Sequence, residues 1–215
     1  MYNKMIDVFK GTDKFQKERI FFEDQRKLGT SLEEVIKMAV PAIDEDEDKK
    51  PNKDRKYKKY SHQSHLVNDI LYEFSERLLE QSQICEIRKE KDFYQLLKFI
   101  KGFRIKGIGE LAIYDTAARI GIFKNIYPKY VYMHAGSREG AINFFGENKF
   151  KDILKYEDCF TMIDKSHFPQ EFQIRCFCAE IEAILCIYKN CFENENLKCS
   201  KCPIDKKSEC KIYNP

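Results

Sequence analysis

The chain has 215 residues, 43% of them hydrophobic and 13% aromatic, enough to bury one well-packed core or the cores of two small lobes. Its 38 basic and 35 acidic residues leave a formal net charge of only +3, so bulk charge announces no polyanion partner and any basic surface must arise by segregation. No apolar run approaches the roughly 20 residues of a membrane span, and the opening MYNKMIDVFKGTDKF lacks the apolar stretch of a signal peptide, which points to the cytoplasm. Nine cysteines are many for a reducing compartment, and four of them fall in the last 25 residues, which favours a metal or cluster site over disulfides.

Residues 1–43 read as helical. In TSLEEVIKMAVPAI, Ser31 and Glu34 form the signature of a capping box, so a helix is expected from Leu32 through Val35, Ile36 and Ala39, stopped by Pro41. The next stretch, DEDEDKKPNKDRKYKKY, holds five consecutive acids and then seven basic residues with nothing aliphatic to bury, and is expected to be a mobile loop over 44–62. It is either a solvated insertion or, through its basic half with Tyr57 and Tyr60, a contact for phosphate and bases. His62 and His65 precede the next helix; with no further ligand nearby they read as polar residues at a helix end. Leu66, Ile70, Phe74 and Leu78, widened by Val67 and Leu71, then repeat at helical spacing, as do Phe93, Leu96, Leu97 and Ile100.

That last helix runs into FRIKGIGELAIYDTAARIG. Gly107 and Gly109 remove side chains that would keep a phosphate from the main chain and permit a short turn, while Ile105 and Ile108 tuck beneath it. The N–H groups opening the following helix at Glu110 have no partner within it and favour an anion. The stretch is therefore either a phosphate clamp or a glycine turn between packed helices. Further on, YPKYVYMHAGSREGAINFFG alternates briefly and turns helical after Ser137 as N-cap. NKFKDILKYEDCF and FPQEFQIRCFCAEIEAILCIYKN read as two more helices, the second central, and no β-hairpin or internal repeat is expected. Cys85, Cys159, Cys176, Cys178 and Cys186 read as small core residues.

The glycine turn flanked by two helices resembles the helix-hairpin-helix motif, the sequence-independent phosphate clamp of many DNA repair proteins. The wider order of motifs, over about residues 60–212, resembles the helix-hairpin-helix DNA glycosylases similar to endonuclease III. In that family the hairpin is followed by a helix, a loop of the form Val-Asp-x-His and, in many members, four cysteines that hold a cluster. Here the loop is Val131, Tyr132, Met133 and His134, and the tail carries Cys191, Cys199, Cys202 and Cys210 with seven, two and seven residues between them. The resemblance implies a 4Fe-4S iron–sulfur cluster on these four thiolates, and tetrahedral zinc would accept the same set.

The same comparison removes the usual chemistry. The nucleophilic Lys of the bifunctional members corresponds to Leu111, and the Asp that nearly all members need corresponds to Tyr132, which is neutral near pH 7. A relocated acid has one main candidate, Asp115, which shares a helix face with Leu111 and Ala118 and is otherwise an i, i+4 partner for Arg119. Glu139 suits a first helical turn, and His134 is the other candidate catalytic residue, or else a hydrogen-bonded packing residue. A flipped base would lie among Tyr114, Tyr132 and His134.

The sequence thus predicts a mostly α, two-lobed fold like that of the helix-hairpin-helix glycosylases. Its expected parts are an N-terminal helical segment (1–43), a charged loop (44–62), a helical core (63–190) and a four-cysteine C-terminal loop (191–215). The expected function is gripping the backbone of DNA, with RNA as another polyanion it can meet, through Lys106, Gly107, Ile108, Gly109, Lys124, Lys129 and Arg138. An active base-excision glycosylase and a protein–protein module are the alternatives.

Overall fold

A computed structural model describes residues 2–11, 13–40, 68–158 and 160–192. Among them the chain is mostly helical, and it divides into two compact units. One is Glu18–Tyr127; the other combines Met1–Lys17 with Pro128–Pro215. The expected loop at 44–62, with His62 and His65, the helix residues Leu66 and Val67, and Cys159, Cys199, Cys202 and Cys210 lie outside the described residues.

The first unit holds most of α2 (Asp13–Leu28), α3 (Leu32–Ala39), α4 (Asn68–Leu79), α5 (Gln81–Lys89), α6 (Phe93–Gly102) and α7 (Glu110–Lys124). α3 begins where the capping box places it. Ser31 Oγ accepts the Glu34 N–H at 3.2 Å, and the Glu34 carboxylate accepts the Ser31 N–H at 3.1 Å. α6 starts on Asp92, whose carboxylate accepts the Tyr94 N–H at 2.9 Å. The apolar positions that recur at helical spacing are the ones buried: Leu71, Phe74 and Leu78 on α4, and Phe93, Leu96, Leu97 and Ile100 on α6. Cys85 is an exception to the expected core cysteines, because it faces solvent from α5.

The second unit combines α1 (Tyr2–Gly11), β1 (Tyr130–Tyr132), α8 (Ala135–Phe145), α9 (Glu147–Ile153), β2 (Leu154–Glu157), β3 (Phe160–Asp164), α10 (Gln170–Arg175) and α11 (Cys178–Ile187). α1 puts Met5, Ile6 and Phe9 into a core shared with Val131, Ile163, Phe172, Ile181 and Ile184. The strands form an antiparallel sheet in the order β1-β3-β2, with Val131 opposite Ile163 and Lys155 opposite Met162. This hairpin corrects the expectation of an uninterrupted helix through NKFKDILKYEDCF. α9 stops at Ile153, and Asp158, in the left-handed region at φ 44°, turns the chain back.

Two other boundaries differ from the sequence reading. α8 starts at Ala135, three residues early, with His134 as N-cap; Ser137 is the third helical residue, and its Oγ accepts the His134 N–H at 3.1 Å. The apolar run after Phe168 is two helices, because Cys176 and Phe177 are extended and the Glu180 carboxylate accepts the Phe177 N–H at 2.8 Å, founding a new N-terminus.

Candidate nucleic-acid interface

The hairpin lies wholly in the Glu18–Tyr127 unit, between α6 and α7. Ile108 N–H donates to the Ile105 carbonyl at 3.1 Å, closing a four-residue turn with Lys106 and Gly107 at its centre. Gly107 has φ 99°, a conformation that favours glycine, and a Cβ there would come within 2.7 Å of the tip of the Ile70 side chain, which would have to shift. Ile105 and Ile108 are buried beneath the turn while Lys106, Gly107 and Gly109 are exposed. Gly109 is the N-cap of α7 with no side chain to cap it, and a Cβ there would meet nothing within 4 Å. The first intrahelical bond is from Ile113 to Gly109, so the amides of exposed Glu110 and half-buried Leu111 stand at the opening of the helix with no intrahelical acceptor.

The remaining sequence candidates of this unit have other partners. Lys124 donates to the Ile87 carbonyl at 2.6 Å and the Arg88 carbonyl at 2.9 Å, closing the C-terminus of α5, and burial followed by repulsion from Lys91 holds its ammonium below the ordinary lysine range. Tyr114 is buried, its ring edge-on to Phe93 at 5.9 Å. Asp115 sits 3.9 Å from the guanidinium of Arg119, as the i, i+4 spacing allows. Arg119 itself is 1% exposed and also holds Glu18 at 2.6 Å and the Ala39 carbonyl at 3.0 Å.

Tyr132, His134, Lys129 and Arg138 belong to the other unit. Lys129 is exposed just ahead of β1. Tyr132 is buried with its ring edge-on to Phe160. Arg138 is half-buried, directed to Thr161 Oγ1 at 3.3 Å, and Thr161 in turn donates to the Met133 carbonyl at 2.9 Å. Glu139 is exposed and ion-paired to Lys189.

His134 is buried, and its Nε2 lies against the Glu182 carboxylate of α11, a contact that is an ion pair when the imidazole is protonated. Glu182 escaped the sequence reading, although it left a signal: Glu180 and Glu182 are carboxylates inside a strongly apolar helix, and a buried carboxylate demands a partner. Glu180 finds Gln16 at 3.3 Å and Lys10 at 3.6 Å. His134 reaches Glu182 because α8 lies directly on α11. A Cβ on Gly136 would meet Cys186 Sγ at 2.5 Å, and one on Gly140 would meet the Leu185 carbonyl at 2.0 Å.

Of the four tail cysteines, Cys191 is described. It is buried in the core, in a short 3₁₀ turn spanning Lys189–Cys191. Among the described residues no three His, Cys, Asp or Glu side chains gather as a metal site. No helix among them is long and apolar enough to cross a membrane. Compared with known proteins, the chain matches no protein-family profile, no curated protein and no solved structure.

Proposed function

We propose that this protein grips the phosphate backbone of DNA through the hairpin between α6 and α7, without the usual chemistry of a glycosylase. The observation that carries the reading is the pairing of opposite demands on two glycines. The φ of Gly107 favours glycine for the turn, whereas Gly109 stands in open space where glycine serves to leave the helix-opening amides of Glu110 and Leu111 without a side chain over them. Lys106 adds charge at the crest of the turn. Contacts of this kind read the backbone and not the bases, so affinity should be indifferent to sequence and steeply dependent on salt.

The open setting of Gly109 permits a test that spares the fold. Gly109 has φ −85° and ψ 171°, which any residue adopts, and aspartate is a better N-cap than glycine. Gly109→Asp is therefore expected to fold at least as well as the parent, while its carboxylate fills the phosphate position with like charge. Binding to a short duplex, measured by fluorescence anisotropy at about 50 and about 200 mM salt, should be lost in this variant and salt-sensitive in the parent. Equal affinity of the two proteins for DNA would refute the clamp. Negligible binding by both at low salt would leave the hairpin as a turn between helices and favour a protein partner.

The four-cysteine tail is proposed as a structural iron–sulfur or zinc site. Anaerobic purification followed by metal analysis should find one cluster or one zinc per chain, and a metal-free protein would remove this part of the reading.

A further inference from the structure

We infer that Arg104 is a second phosphate-binding group of the hairpin, held at the turn before any ligand arrives. The inference rests on the DNA-binding reading of this hairpin and extends it from one phosphate to two neighbouring phosphodiesters of a strand. In Arg104-Ile105-Lys106 the middle side chain is buried and the outer two are exposed, so both cations flank the anchor that pins the turn. Arg104 Nε–H donates to the Ile108 carbonyl at 2.9 Å, spanning the turn from its entry to its exit.

A guanidinium has five N–H donors, and this bond uses one, leaving the two terminal nitrogens with a planar fork that matches the two free oxygens of a phosphodiester. No carboxylate among the described residues pairs with Arg104 or Lys106. Neither cation is therefore committed to a surface ion pair among the described residues. Fixing Nε in advance also removes part of the side-chain freedom that a long arginine would otherwise lose on binding. Glu110, exposed in the first turn of α7, is the acid that opposes an anion here, and Arg104 with Lys106 outnumber it.

The test is a salt series of anisotropy titrations on the same duplex, with circular-dichroism melts to show that each protein is folded. Arg104→Ala should weaken binding about tenfold at low salt and reduce the slope of log affinity against log salt by about one, the signature of a lost phosphate contact. Arg104→Lys should keep the slope and still bind several-fold more weakly, because an ammonium cannot bridge the turn and fork a phosphate together. Should Arg104→Ala fail to fold, Arg104→Gln, whose amide can still donate to Ile108, carries the same expectation. Weakening by one factor at every salt concentration would reduce Arg104 to a fastener of the turn and overturn the inference, as would no change at all. The two levels separate cleanly. A parent protein that ignores DNA defeats the clamp itself, whereas a parent that binds, a Gly109→Asp that does not, and an Arg104→Ala with an unchanged slope defeat only this inference.

Discussion

Glu182 and His134 illustrate how a single residue can be costly alone and tolerable in company. Each is buried, one on α11 and the other at the N-cap of α8, and each is the ionisable group that the other faces. Replacing His134 by leucine should strand the Glu182 carboxylate and cost about 3–5 kcal/mol, whereas the double change His134→Leu/Glu182→Leu should recover most of that loss. Urea melts of the two variants and the parent check this, and equal destabilisation by the single and double changes would refute mutual dependence. Gly107 offers the complementary case. Gly107→Ala must hold a methyl at φ 99° and against Ile70, which should cost about 1–3 kcal/mol in the same melts, whereas Gly109→Ala should cost less than 1 kcal/mol. What was legible at this scale was what neighbouring residues decide. Ser31 with Glu34, and Gly107 within its turn, follow from residues three positions apart or fewer. The Glu182–His134 pair joins residues 48 positions apart, and nothing near either one names the other.

At the scale of elements, amphipathic spacing located α3, α4 and α6 because each has one apolar face on one core. The misreadings cluster where that signal fails. β2 shows a half-buried residue followed by three exposed ones, so no alternation marks it, and it is a strand because β3 pairs with its backbone. The apolar run from Phe168 was unreadable for a different reason, since its break is made by a carboxylate reaching back to Phe177. The seam between α8 and α11 is the element-scale feature with the sharpest test. Gly140→Ala would push a methyl onto the rigid Leu185 carbonyl and should destabilise by about 1–3 kcal/mol or more, whereas Gly136→Ala meets the movable Cys186 side chain and should cost less. Equal melting behaviour of the two variants would show that the seam relaxes without penalty.

For the whole molecule, the mostly helical class and the helices around the hairpin were legible, whereas no local pattern marks the path by which the chain starts in one unit, builds the other over Glu18–Tyr127 and then returns. The thiols report on the second unit as a body. Burial is the main cause that pushes Cys176 and Cys178 up to about 11, so below pH 9 neither should be alkylated while exposed Cys85 is. Because the unfolded thiols release their protons first, stability should be intact below about pH 9 and fall between about pH 9 and about 11. Urea melts across that window should show a shallower fall in Cys176→Ala/Cys178→Ala, and an identical fall would assign the effect to other groups.

The early position of α1 also sets the order of events during synthesis. Lys10 finds the Arg175 carbonyl 165 positions later, and Gln16 finds Glu180 across 164. Residues 18–127 form a unit with its own internal core and can close as soon as they leave the ribosome. Met5, Ile6 and Phe9 must meanwhile wait for α10 and α11, a delay on the order of ten to thirty seconds at ordinary translation rates. During that interval the apolar residues of α1 have none of their later partners in α10 and α11 to cover them. α1 is made long before the helices that bury it, and a nascent chain stalled before residue 170 would present that helix's apolar face to chaperones and not to its own core.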